Sequence, residues 1–180
     1  LYRNMGSGRF EDTTDPALVR NQLGGLYCVQ ADWNNDGFLD LYIPRGAWID
    51  LPIRPTLLTN NGDGTYADAT QAARLLVPVN SISAAWADYD NDGQLDLFVC
   101  CETQRSRLFH NRGDGTFAEV SAGAGLDQDD HPQCKGVAWL DFDNDGHLDL
   151  FVTNSARWTL NNYDKAAHYF PGFKGFCQLF

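Results

Sequence analysis

The stretch from Ala87 to Val99, ADYDNDGQLDLFV, decides the fold, because it occurs three times. Ala31 to Ile43 reads ADWNNDGFLDLYI and Leu140 to Val152 reads LDFDNDGHLDLFV, so the leading aspartates Asp32, Asp88 and Asp141 stand 56 and 53 residues apart. Each copy has two halves. The first is a polar turn centred on Asp-Gly. The second, Leu95-Asp96-Leu97-Phe98-Val99 and its counterparts, is almost continuously apolar after its aspartate, the pattern of a short strand covered on both faces. Just upstream lie Ser83-Ala84-Ala85-Trp86-Ala87 and Gly136-Val137-Ala138-Trp139-Leu140, whose small residues suit an innermost strand crowded near an axis.

A second repeated element alternates with the first: LYRNMGSGRFEDTT from Leu1, LLTNNGDGTYADAT from Leu57 and LFHNRGDGTFAEVS from Leu108, at steps of 56 and 51 residues. It supplies a short third strand (Arg107 to His110 in the last copy) and an Asn-x-Gly-x-Gly turn whose glycines permit positive φ. A more polar fourth strand, Thr116 to Val120, suits an outer edge. Leu179-Phe180 reads as the opening of a further copy. Four short strands repeating every 40 to 60 residues or so describe a propeller blade. The expected fold class is all-β, with about three β-propeller blades of four antiparallel strands. They divide as a partial blade 1–26, blades 27–81 and 82–135, and a blade 136–180 carrying an insertion at 154–178. A ring needs at least about four blades, so the remaining blades are expected from the same parent chain or another chain.

The Asp-x-Asp/Asn-x-Asp-Gly-x-x-Asp turn has a direct chemical reading. Hard divalent cations want several oxygen ligands, and carboxylate or amide oxygens at positions one, three, five and nine, with a backbone carbonyl at seven, supply them; glycine at six allows the sharp bend. The expected ligand sets are Asp32, Asn34, Asp36 and Asp40 with the carbonyl of Phe38; Asp88, Asp90, Asp92 and Asp96 with that of Gln94; and Asp141, Asp143, Asp145 and Asp149 with that of His147. Position seven needs only its backbone, and there the residue varies. The eleven carboxylates of these sets equal in size the whole formal net charge of -11. Without a cation they repel one another and the turns should splay. An EF-hand would need a bidentate Glu at position twelve and flanking helices, whereas here the loop runs into strand. Soft ligands for zinc or copper are missing, and magnesium keeps more water than such a loop allows. Three Ca2+ sites are therefore expected.

Composition narrows the remaining classes. The 180 residues are 43% hydrophobic and 21% charged, enough for a folded domain with a sizeable core. The acidic excess repels nucleic acid and anionic membrane, and no apolar stretch approaches the ~18 to 20 residues that a spanning helix needs. The chain opens at Leu1-Tyr2-Arg3-Asn4 without a targeting segment, so any export signal is expected to have been removed or to lie outside it. Its five cysteines show no C-x-x-C spacing. Cys28 reads as a small core residue in an apolar strand, while Cys134 and Cys177 lie in polar stretches compatible with an extracellular disulfide.

These motifs resemble the FG-GAP or VCBS repeat of integrin α-subunits and many bacterial secreted proteins. The pairing of DxDNDGxLDLFV with LFxNxGDGTFxEV resembles the cartilage acidic protein, or ASPIC-UnbV-like, branch. The resemblance covers nearly the whole chain. It implies a propeller, typically seven-bladed, with calcium in the hairpins joining the first two strands of each blade, a secreted, extracellular or periplasmic address, and roles in adhesion or ligand binding. Two departures stand out: Ser7 where the other copies have Asp63 and Asp114, and the aromatic-rich insertion with Trp158, Tyr163, Tyr169, Phe170, Phe173 and Phe176.

Function then reads as a calcium-binding, non-catalytic module for adhesion, ligand binding or scaffolding, with a protein or glycan partner. The rival is the propeller of a polysaccharide-active lyase or hydrolase. Its catalytic groups would have to come from non-repeated residues such as Asp129, Asp130, His131, Lys135 or His168, because calcium-bound carboxylates are poor proton donors. Arg112-Gly113-Asp114 spells an adhesion tripeptide but aligns with a repeated tight turn. His110, His131, His147 and His168 are scattered, none reading as the neighbour of a repeated acid. Trp33, Trp86 and Trp139 read as packing residues between blades, and Trp48 and Trp158 as loop residues that could reach the rim.

Overall fold

The computed structural model describes residues 1–16, 24–46, 52–126, 133–155 and 177–179. Trp48, Asp129, Asp130, His131, Trp158, His168 and nearly all of the aromatic insertion lie outside the described residues. Every named element among those described is a strand: β1 (Tyr2–Asn4), β2 (Phe10–Asp12), β3 (Val29–Ala31), β4 (Asp40–Ile43), β5 (Thr56–Asn60), β6 (Tyr66–Asp68), β7 (Ser81–Ala87), β8 (Asp96–Cys101), β9 (Arg107–Asn111), β10 (Phe117–Glu119), β11 (Gln133–Leu140), β12 (Asp149–Ser155) and β13 (Cys177–Leu179). They form antiparallel meanders: the pair β1-β2, the four-stranded sheets β3-β4-β5-β6 and β7-β8-β9-β10, and the three-stranded β11-β12-β13. The fold class is the expected one, all-β with four-stranded antiparallel sheets.

Period-two alternation on β8 shows how the sheets stack. Leu97, Val99 and Cys101 join one core with Trp33, Tyr42 and Leu57 of the preceding sheet. Phe98 and Cys100 point the other way, into a second core with Leu150 and Val152 of the following sheet. All six residues of β8 are buried, which explains why its sequence is apolar without alternation. The first strands are neighbours as well, with β7 lying against both β3 and β11, as blades arranged about one axis require.

Aromatic side chains pin sheet to sheet. Phe117 of β10 is only 3% exposed, its ring centroid 5.4 Å from that of Trp33 and 6.1 Å from that of Trp86. The fourth strand is the sheet edge, as expected, with Ala118 and Glu119 not buried, while Phe117 is covered by Trp33 of the preceding blade. Trp139 packs edge-on to Phe98 at 6.4 Å and parallel to Tyr89 at 6.1 Å. Trp33, Trp86 and Trp139 are therefore packing residues, as expected.

Among the cysteines, the reading of Cys28 needs correction and the pairing of Cys134 is settled. Cys134 forms a disulfide with Cys100, across a Cα–Cα distance of 5.4 Å and 34 residues of sequence. It joins β8 to β11 and so links two sheets covalently. Cys28, read as a core residue, is exposed and free; β3 begins only at Val29, and the preceding Leu26 and Tyr27 are exposed too.

Candidate metal centre

Each repeated turn closes on its own first aspartate. In the first loop, Asp32 Oδ1 accepts the N–H of Asp36 at 2.9 Å and Oδ2 that of Gly37 at 2.8 Å. In the second, Asp88 accepts from Asp92 and Gly93, both at 2.9 Å. In the third, Asp141 accepts from Asp145 at 3.1 Å and Gly146 at 3.0 Å. The position-five aspartate then accepts the N–H of position seven at 2.8 to 2.9 Å in all three. Two left-handed residues make the bend: Asn35, Asn91 and Asn144 at position four (φ 57°, 61° or between) and the glycine that follows the fifth position (φ 86° to 90°). Asparagine tolerates this conformation better than most side chains because its short amide bonds locally. That role of position four is legible only from the backbone.

The position-nine aspartates open strands β4, β8 and β12, and their environments differ. Asp96 is fully buried. Its Oδ1 accepts the Asn111 N–H at 2.7 Å and its Oδ2 the Tyr89 N–H at 3.3 Å. Burial nevertheless pushes its carboxyl up to about 6, with the nearby Asp90 charge adding to the effect and the backbone bonds and His110 opposing it. Asp149 Oδ2 accepts the Phe142 N–H at 2.8 Å. Asp40 is 1% exposed and its Oδ1 accepts the Asn60 N–H at 2.7 Å. Its Oδ2 has no hydrogen-bond partner among the described residues: the Trp33 N–H, counterpart of Tyr89 and Phe142, helps electrostatically but falls short of bonding geometry. Burial likewise raises the Asp40 carboxyl, and Asp36 and Asp32 push it further the same way.

Positions one, three and nine converge in the second and third loops. Carboxylate oxygens of Asp88, Asp90 and Asp96, and separately of Asp141, Asp143 and Asp149, all lie within 4.8 Å of one another. In the first loop the amide of Asn34 replaces one charge, and its Nδ2 donates to Asp36 Oδ2 at 2.8 Å. Such oxygen-only clusters can hold a hard cation.

One neighbour was not foreseen. His110 is brought beside two repeated acids, its Nδ1 3.1 Å from Asp96 Oδ1 and 3.3 Å from Asp90 Oδ2. This corrects the reading of the histidines as unconnected with the acids; Thr59 stands at the equivalent place one blade earlier, so no repeat pattern announced it. Arg112-Gly113-Asp114 is a turn, as its alignment indicated: Asp114 Oδ1 accepts the N–H and hydroxyl of Thr116, a pairing that Asp63 repeats with Thr65. Among the proposed catalytic groups, Lys135 is ion-paired with Glu102.

The FG-GAP-like repeat family model matches residues 48–99 and 88–152, which span the second and third loops and the sheets around them. The chain belongs to the FG-GAP-like repeat family. Its FG-GAP-like repeats are also similar to cartilage acidic protein 1 of Mus musculus, 44% identical over 167 residues, and of Xenopus tropicalis, 32% identical over 165. Each alignment covers 86% of this chain and 24% of the relative. A shorter match to the Homo sapiens protein is 48% identical over 59 residues, 33% of this chain and 9% of the relative. The chain thus spans about a quarter of the length of the mouse and frog relatives.

Proposed function

We propose that these FG-GAP-like blades bind three Ca2+ ions and serve a secreted, non-catalytic protein in adhesion, ligand binding or scaffolding. The observation that carries the metal assignment is Asp40, a buried carboxylate with one oxygen bonded and the other left without a partner. A carboxylate sealed from water and short of donors is costly unless a cation compensates it. The position-nine aspartates, buried at Asp40 and Asp96 and half-buried at Asp149, would anchor each ion, the residues at one, three and five would complete the charge, and the carbonyls of Phe38, Gln94 and His147 would add neutral oxygens. The ions would neutralise carboxylates that otherwise repel, holding the hairpins that join first and second strands.

An extracellular address accords with the Cys100–Cys134 disulfide, since such bonds persist in oxidising compartments, and with millimolar free calcium. At an affinity of ~10⁻⁴ M each site would stabilise the fold by about 1.4 kcal/mol. Adhesive partners would be proteins or glycans, in keeping with FG-GAP-like repeats elsewhere. The test is a thermal melt of the purified protein in calcium and in EDTA. Three sites together predict a fall of roughly 10 °C on chelation, and an unchanged melting temperature refutes the metal assignment. Incubation with a glycan panel checks the second half: release of shortened or unsaturated sugars refutes the non-catalytic assignment.

A further inference from the structure

The first two loops are tied together by side chains that belong to neither ligand set. Asn111, on β9 and 1% exposed, donates its backbone N–H to Asp96 Oδ1 at 2.7 Å. Its Nδ2 donates to the carbonyl of Trp33 at 2.8 Å and to that of Leu95 at 3.2 Å. One residue therefore holds the ninth position of the second loop and the backbone immediately after Asp32 in the first. A second tie crosses the surface. Asn35, at position four of the first loop, donates its Nδ2 to the Gly93 carbonyl at 3.3 Å and to Gln94 Oε1 at 3.2 Å. Those are positions six and seven of the second loop. Asn91, which stands at position four of the second loop, makes no equivalent bond to the third loop among the described residues.

We propose, resting on the calcium assignment above, that the first and second sites bind their ions cooperatively through Asn111 and Asn35. Without metal, the carboxylates of each loop repel and the turn loosens. An ion in the second loop orders Asp96 and the 92–94 turn, which in turn fixes Asn111 and the acceptors of Asn35. The first loop is then partly ordered before its own ion arrives, and less conformational entropy remains to be lost. Linkage makes the effect reciprocal.

The loops carry their own reporters. The amides of Gly37, Gly93 and Gly146 each donate to the first aspartate of one loop, so their resonances in the intact protein labelled with ¹⁵N-glycine read each site separately during a calcium titration. Disabling the second loop with Asp88→Asn and Asp92→Asn should move the Gly37 midpoint to at least about fivefold higher calcium and move that of Gly146 less. Adding Asn35→Gly, which keeps the left-handed backbone without strain, or Asn111→Ala should shrink that shift. A Gly37 midpoint indifferent to the second loop overturns the cooperativity alone. So does an equal shift of Gly146, which would mean general loosening, or a shift that survives both asparagine variants. If none of the three glycines responds to calcium in the wild type, the calcium assignment itself falls.

Discussion

Replacing Asp40 by asparagine should stabilise the metal-free protein and abolish the stabilisation that calcium gives through the first loop. Asp40 is 1% exposed, with one oxygen bonded to the Asn60 N–H and the other unpartnered. Its carboxyl is raised mainly by burial and next by Asp36, so at neutral pH the metal-free fold holds a charge it disfavours. An asparagine keeps the Oδ1 acceptor and removes that charge. Leaving a buried group unpaired costs about 1–3 kcal/mol, more when charged. Because the new amide nitrogen is itself unpaired, only part is recovered, about 1 kcal/mol. For a domain of this size that is a rise of roughly 2–4 °C in EDTA. In calcium the first site's contribution of about 1.4 kcal/mol disappears, so the variant melts at or slightly below the wild type. Differential scanning calorimetry in EDTA and in 1 mM calcium, a concentration of the order found outside cells, gives all four values. A variant that melts lower than wild type in EDTA, or keeps the full calcium increment, refutes the reading of Asp40 as a buried carboxylate awaiting a cation.

Proton dependence follows from Asp96, whose carboxyl stands at about 6 against an ordinary 3.8. Between those values the folded state binds the proton that the unfolded state has released, so its contribution to metal-free stability is present below about pH 4 and is lost as pH rises through about 6. Calcium competes with that proton, so melts at pH 4.5 to 7.5, a range of about three units around it, should show the calcium increment growing as pH rises past about 6. Removing the disulfide by Cys100→Ala with Cys134→Ala should cost about 4 kcal/mol from the 34-residue separation, read as a lower urea midpoint. Asn91→Ala should cost about 1–2 kcal/mol because alanine resists the left-handed conformation at φ 60°, whereas Asn91→Gly should be tolerated; paired thermal melts compare them. Phe117→Ala removes the ring that both Trp33 and Trp86 pack against, and denaturation should show a loss of about 3–5 kcal/mol.

How far these features could be read in advance depends on whether they are local. The turn Asp88 to Asp96 closes on itself through Asp88 and Asp92, so its chemistry is written in nine consecutive residues and repeats with them. The burial of β8 was equally legible, since a strand between two sheets must be apolar on both faces. Cys100 was not. It sits in the apolar run Phe98-Val99-Cys100-Cys101 and reads as core; only the neighbourhood of β8 and β11 brings Cys134 within 5.4 Å. Cys28 failed for the opposite reason: Leu26-Tyr27-Cys28-Val29 looks like a strand, but nothing among the described residues covers its first half. His110 and Asn111 acquire their roles by reaching across a strand and, for Asn111, into the preceding blade. No spacing rule within one repeat encodes such contacts.

The same dependence on neighbours shapes the candidate sites. Each ninth-position aspartate sits at the mouth of a second strand, and what buries it is the third strand of its own blade. Asn60 of β5 does this for Asp40, and Asn111 of β9 does it for Asp96. The aromatic residue at position two then finds its partner in the following blade. Trp33 packs on Phe117 and Tyr89 on Trp139. A metal loop in this architecture is therefore a joint product of two blades, with the ligands supplied by one and the rigidity by the next. An ion bound there gains affinity only as far as that neighbour already holds the loop still. Calcium and blade packing consequently stabilise each other.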